Sequence, residues 1–240
     1  MLEIADLSVR YGKHTALDGI NASVNAGEMV AILGANGAGK SSLLGSVGGR
    51  VKPASGTIRY KGADLLALPQ HQLVEEGIAL VPEGRGIFPA MSVEDNLSLG
   101  ALPKRAQSGA AQRRDEVFAL FPKLAQRRMQ VAGTMSGGEQ QMLAIGRALM
   151  SNPDMLFLDE PCASLDGRAT REIEEILLLA AAGGTRLIMS THNMGQAQRL
   201  ADEVIFVLHG RIHEFSPAQQ FFAGPKTPQA QAFLNGDIVE

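Results

Sequence analysis

The chain has 240 residues, 45% of them hydrophobic, and a formal net charge of −3. That length suits one large α/β domain or a core with an inserted lobe, and the near-neutral balance gives no general attraction for nucleic acid. One cysteine, Cys162, excludes an internal disulfide and fits a reducing compartment. Met1-Leu-Glu-Ile-Ala-Asp6 lacks the basic and apolar regions of a signal peptide. The longest apolar run, Ile176 to Ala182, is too short to span a membrane. The expectation is a soluble protein that reaches a membrane only through a partner.

Leu2 to Tyr11 alternates apolar and polar residues, as a half-buried strand does. Gly12-Lys13 predicts a turn, His14 to Val24 a further strand or two, and Asn25-Ala-Gly-Glu28 the turn into the core. Tyr11 has two readings: a ring that stacks on a purine, or a turn tyrosine packed on its own hairpin. Met29 to Leu33 is a continuous apolar run, the pattern of a buried strand. The glycine-rich stretch Gly34, Ala35, Asn36, Gly37, Ala38, Gly39, Lys40, Ser41 and Ser42 follows, and a helix opens at its end. Lys52 to Gly56 predicts a loop, Thr57 to Tyr60 a strand, Leu65 to Glu76 a helix and Gly77 to Val81 a strand. Pro82-Glu83-Gly-Arg-Gly86 is a loop, and Ser92-Val-Glu-Asp95 a capping-box start for a helix through Leu99.

From Lys104 to Arg128 the sequence turns helical and strongly charged. Such charges read as a solvated helix face or as a surface near lipid headgroups. Ser136 caps the next helix with Glu139 in the capping-box position, and the helix continues through Ala148. Met155 to Asp159 predicts a buried parallel strand whose C-terminal end carries two carboxylates, Asp159 and Glu160. A helix over Arg168 to Ala182, a strand from Arg186 to Thr191 that ends at His192, a helix from Asn193 to Ala201 and a hairpin from Glu203 to Glu214 complete the pattern. The tail from Pro217 has room for small helices.

Gly34 to Ser41 fits G-x-x-x-x-G-K-[ST], with the strand before it and the helix after it that this motif needs. Glycine lets the backbone wrap a phosphate chain with its N–H groups turned inward, at a helix N-terminus that favours anions. Lys40 would bring a point charge to the outer phosphates, and the Ser41 hydroxyl a ligand for Mg²⁺. Asp159 would add a second, water-mediated ligand. Glu160, expected on the other side of the strand, would accept a proton from the attacking water. His192 would contact the terminal phosphate or hold that water. Together these residues describe an ATPase.

At Ser136-Gly137-Gly138-Glu139-Gln140 the sequence resembles the signature motif of ABC-type ATPases, and nearly the whole chain follows that family's order. Tyr11 looks like its adenine-stacking aromatic, Gly34 to Ser41 like its Walker A loop, and Asp159 with Glu160 like its Walker B pair. Ser164-Leu165-Asp166 resembles its D-loop and His192 its switch histidine. Glu83 stands where the family usually has the Q-loop glutamine, and would reach nucleotide and Mg²⁺. The resemblance implies an α/β phosphate-loop NTPase core with a mainly parallel sheet, an N-terminal antiparallel β subdomain and an inserted helical lobe. It forms a single domain over 1–240, with the core at about 1–84 and 152–240 and the lobe at about 85–151. It implies ATP and Mg²⁺ as cofactors, head-to-tail pairing with a second ATPase chain (a copy or a paralogue), and membrane permease subunits. In that pairing each ATP lies between the phosphate loop of one chain and Ser136-Gly137-Gly138 of the other. No nucleic acid partner is implied, and location is peripheral, at the cytoplasmic face of the inner membrane.

Residues 1 to about 160 look like the ATPase of branched-chain amino acid importers, through Val81-Pro-Glu-Gly-Arg85, Ile87-Phe-Pro89 and Glu94-Asp-Asn-Leu97. From about Ala163 the chain looks more like tungstate or phosphate-type importer ATPases, through Thr191 to Asp202 and Phe233 to Asp237. A divergent member and a recombinant of the two types both fit. A soluble ABC-type ATPase of translation or DNA repair resembles tandem chains or carries long coiled-coil insertions, and this sequence has neither. A phosphate-loop kinase leaves Ser136-Gly-Gly-Glu-Gln unexplained.

Overall fold

The computed structural model describes residues 1–25 and 29–237. The expected turn over 25–28 therefore falls largely outside the described residues, as do the last three positions of the tail. The elements in chain order are β1 (Leu2–Tyr11), β2 (His14–Val24), β3 (Val30–Leu33), α1 (Lys40–Val47), β4 (Ser55–Tyr60), β5 (Ala63–Asp64), α2 (Gln70–Leu73), β6 (Ile78–Val81), α3 (Val93–Gly100) and α4 (Lys104–Gln107). They continue through α5 (Ala110–Leu120), α6 (Pro122–Gln126), α7 (Gly137–Met150), β7 (Met155–Asp159), α8 (Gly167–Ala182), β8 (Arg186–Thr191), α9 (Met194–Leu200), β9 (Glu203–Leu208), β10 (Arg211–Pro217), α10 (Ala218–Ala223) and α11 (Pro228–Asn235). They fall into two compact units, Met1–Gln70 with Arg186–Glu240, and His71–Thr185.

In the first unit β2, β1, β4 and β5 make an antiparallel sheet in that order. The inward residues of β1 are Leu2 and Ile4, then Leu7 and Val9. That shift of phase is absorbed by a register irregularity between Ile4 and Leu7. There Asp6 takes φ 49° and is held by two hydrogen bonds with Asn21. β3 pairs in parallel with β8 on one side and β9 on the other, and β10 returns antiparallel to β9. All four residues of β3 are buried, as a strand covered on both faces requires. Phe206 of β9 packs against Phe221 of α10 and Phe233 of α11, with ring centroids 6.1 and 5.1 Å apart, so the small helices of the tail seal this core.

The second unit holds the parallel pair β6 and β7, most of α2, and α3 to α8, with a helical segment inserted between those two strands. Many charges of that segment find partners inside the unit. Arg105 pairs with Asp154 at 3.0 Å, Lys123 with Glu172 at 2.6 Å, Arg127 with Glu139 at 3.2 Å and Arg114 with Glu94 at 3.5 Å. Arg128 lies over the Phe118 ring at 4.0 Å.

Two expectations are corrected. Leu65 to Glu76 is not one helix: Leu65–Ala67 is a single 3₁₀ turn and only Gln70–Leu73 is α-helical. Pro69 disfavours the helical region for the residue before it, and Leu68 is extended at φ −95° and ψ 138°. At α3 the Ser92 hydroxyl accepts from the Asp95 N–H at 3.0 Å, but the Asp95 carboxylate accepts from that hydroxyl at 2.6 Å. Aspartate is one methylene short of the reach that a reciprocal box needs.

Candidate functional site

In the first unit the glycine loop leads from β3 into α1, as its sequence requires. Gly37 and Gly39 take φ 82° and 110°, the left-handed side that glycine adopts without strain. The loop is also crowded: a Cβ at Gly34 would collide with the Val207 carbonyl oxygen, and one at Gly39 would lie 2.6 Å from the Ala16 carbonyl oxygen. Lys40 is buried, and its ammonium group donates back across the loop to the carbonyls of Gly34 and Ala35 at 2.8 and 3.1 Å. Ala35, Asn36, Gly37 and Ser41 are exposed, while Ala38 is buried. This cradle, with glycine at both of its positive-φ positions and a cation at its base, fits a phosphate chain.

Tyr11 is 52% exposed, and its hydroxyl stands 3.4 Å from the Ser42 hydroxyl. Its ring is therefore beside the start of α1, although Tyr11 ends β1 and Ser42 lies in the helix. His192 directly follows β8. Thr191 is the register partner of Leu33, so His192 comes after its strand as Gly34 comes after its own.

In the second unit Glu83 and Gly84 form the corner of a turn closed by a 2.9 Å hydrogen bond from the Arg85 N–H to the Pro82 carbonyl, and Glu83 is exposed. Ser136 caps α7 through the full reciprocal box: its hydroxyl accepts from the Glu139 N–H at 3.3 Å, and the Glu139 carboxylate accepts from the Ser136 N–H at 3.0 Å. Burial would raise the Glu139 carboxyl, but the two bonds from Ser136, with Arg127 and Lys123 nearby, hold it below its ordinary value. The Glu139 carboxylate is thus engaged in building the helix start. Gly137 and Gly138 follow in close surroundings, tightest at Gly138. A Cβ would meet Arg85 Nη2 at 3.1 Å from Gly137 and Ala169 Cβ at 2.9 Å from Gly138. A cavity of about 330 Å³ opens there, with Ser164 to Asp166 also on its wall. Asp166 accepts from the Arg168 and Ala169 N–H groups and caps α8, which holds its carboxyl below the usual range.

Asp159 ends β7 and is buried. Glu160 corrects an expectation. Strand alternation does not set its direction, because the strand stops at Asp159 and Glu160 takes φ 48°. Arg85 and Ser164 also take positive φ, at 61° and 59°. Non-glycine residues with such a backbone gather at functional loops, and these three stand in three of the motif segments. Cys162, in the turn after Glu160, is part-buried.

Nothing in the sequence marks a separate role for Gln140, Arg147 or Gly210, and Arg85 stands out only as part of a motif. Arg85 donates to the Gln140 side chain at 2.8 Å and Arg147 to the Gly86 carbonyl at 2.8 Å. Both fasten the loop after Glu83 to α7. An arginine inside a loop and another on a helix distant in sequence give no periodic signal.

The phosphate cradle and the α/β arrangement define a phosphate-loop ATPase. Its family follows from comparison with known proteins. Residues 17–163 match the ABC transporter family. A high-affinity branched-chain amino acid transport ATP-binding protein of Pseudomonas aeruginosa is 42% identical over 236 residues, covering 98% of this chain and 100% of that protein. An arginine transport ATP-binding protein of Bacillus subtilis is 34% identical over 98% of each chain. A phosphate import ATP-binding protein of Natronomonas pharaonis is 33% identical over 99% of this chain and 87% of its own length. Among solved structures, an ATP-binding subunit of an ABC transporter superposes with a TM-score of 0.83 at 26% identity, covering 98% of both chains. A nucleotide-free ATP-binding cassette gives 0.84 at 24% identity, over 97% of this chain and 98% of that one, a likeness of fold. The chain belongs to the ABC transporter family and is an ATP-binding ATPase of that class. Among the described residues no helix is long and apolar enough to cross a membrane.

Proposed function

We propose that the chain powers a branched-chain amino acid importer, closing on a second ATPase chain with ATP and reopening after hydrolysis. The observation that carries this reading is the 42% identity, across 98% of the chain, to a protein named for that transport. The run from Val81 to Leu97, read as the type of membrane partner, agrees with it. Phe88, Met129 and Val131 are exposed large hydrophobic residues within or just beyond the segment 83–130, the segment that would meet a membrane permease at the cytoplasmic face of the inner membrane. In this reading the core is 1–84 with 152–240 and the lobe is 85–151.

In this reading the amides of Gly34 to Ser42 with Lys40 hold the phosphates, and Tyr11, exposed beside Ser42, stacks on the adenine. Ser41 and Asp159 would hold Mg²⁺, with Glu83 near it, and the ion would supply charge neutralisation to the outer phosphates. Glu160 accepts the proton of the attacking water and His192 orients it. Ser136, Gly137 and Gly138 offer a second helix N-terminus to the nucleotide of a partner chain. Glu139 and Asp166 support that surface through their caps.

A tungstate or phosphate-type importer is the second reading, favoured by the stretch from Thr191 to Asp202 and by the phosphate import relative. The test is purification of the chain with its membrane subunits and binding protein, then ATP-dependent uptake into proteoliposomes. Uptake of leucine or valine, and not of tungstate or phosphate, is expected. Uptake of an oxyanion alone overturns the amino acid assignment.

A further inference from the structure

We propose that the β9–β10 turn at Gly210 is a backstop that sets the shape of the phosphate loop, which makes Gly210 a positioning residue for nucleotide binding. The inference rests on the reading of Gly34 to Ser42 as that loop. β9 runs parallel to β3 with Phe206 beside Leu33, so the backbone of Val207 lies against Gly34. This is why Gly34 has no room for a Cβ. Three residues on, the Gly210 N–H donates to the Ala38 carbonyl at 2.9 Å, and the Gly210 carbonyl accepts from the Asp18 N–H at 2.9 Å. Both ends of the loop therefore rest on one stretch of backbone, Val207 to Gly210.

The packing there leaves no space for side chains. Gly210 takes φ 73°, and a Cβ on it would lie 2.5 Å from the Ala16 carbonyl oxygen and 3.1 Å from Leu17 Cα. A Cβ on Gly39 would meet the same Ala16 oxygen at 2.6 Å and Gly210 Cα at 3.5 Å. Three backbone segments, at Ala16–Leu17, Ala38–Gly39 and Gly210, thus meet directly. Outside them Arg211 closes the arrangement by donating from Nε to the Asp18 carboxylate at 3.1 Å. Phosphate-binding amides must be held in place before the ligand arrives, because an ångström of misplacement weakens every bond they make. A methyl group at 210 has only backbone to push against, and that backbone leads to the loop.

The test measures the dissociation constant of Mg-ADP by calorimetry on the full chain, well below its melting temperature. Gly210→Ala should raise it by about tenfold or more. Gly62→Ala is the control, since Gly62 also has positive φ, at 87°, but nothing within 4 Å of its Cβ position; its affinity should stay at the wild-type value. A merely structural glycine would lower the melting temperature and the active fraction but leave the affinity of the folded molecules alone. Should Gly210→Ala not fold, Arg211→Met decides, with a rise of about two- to threefold expected from loss of the exposed ion pair. Wild-type affinity in the folded Gly210→Ala protein, or in Arg211→Met where that variant decides, overturns the backstop, provided Lys40→Ala has lost binding. Wild-type affinity in Lys40→Ala instead overturns the phosphate-loop reading, and the backstop with it.

Discussion

Arg85 donates a 2.8 Å hydrogen bond from its guanidinium to the side-chain oxygen of Gln140. Gln140 passes the connection on, because its amide donates to the carbonyls of Ala132 and Met135 at 3.3 and 3.2 Å. The loop after Glu83 and the turn that presents Ser136 are therefore held by one pair of side chains.

Arg85→Ala should loosen both segments together. Removing one hydrogen bond to a charged donor costs about 1.5–3 kcal/mol at such a part-buried site. Amide exchange at 84–88 and at 136–140 should quicken by about tenfold or more, while the amides of β6 keep their protection. Quickening confined to 84–88 would show that the two segments are not coupled through Gln140.

Glu160→Gln keeps the size of the side chain but cannot accept a proton, so turnover should fall by at least about 10²-fold. ATP should still bind, and the missing negative charge favours the bound state. Mass in solution should double with Mg-ATP and stay single with Mg-ADP. Normal hydrolysis would exclude Glu160 as the base. An inactive variant that stays single with saturating Mg-ATP would point to a required partner chain.

His192→Ala should lower kcat by about tenfold or more and leave ATP affinity within a few-fold, because its contribution falls mainly in the transition state. The side chain follows β8 in step with Gly34 after β3. Steady-state kinetics with direct binding measurements separates the two effects. A loss confined to KM would remove the assigned role.

Glu139→Gln tests the cap of α7 through its pH dependence. The folded carboxyl lies below its ordinary value, so its stabilisation is fully present above the unfolded value of about 4.3 and is lost as the pH falls through the folded one. At pH 7 the variant should melt about 2–4 °C lower for a loss of about 1 kcal/mol. The difference should shrink to nothing in acid as the wild-type carboxyl gains its proton. An offset that is unchanged between pH 7 and pH 3 would mean that the charge on Glu139 plays no part.

The order of the elements, the phosphate loop and the start of α7 were legible in the sequence because each rests on local chemistry. A glycine loop needs its own glycines and Lys40, and a capping box needs only Ser136 and Glu139 three residues apart. The break within Leu65 to Glu76 is not legible because hydrophobic spacing hides what Pro69 does to Leu68. The backbone of Glu160 was out of reach because alternation along β7 does not announce where the strand stops. What only the tertiary structure decided is contact between segments distant in the chain. Arg85 finds Gln140, and Gly210 meets Ala16 and Ala38, through backbone and side-chain approaches that depend on how strands and helices pack. No residue pattern near either end encodes such a distance, since packing is a property of the two surfaces together.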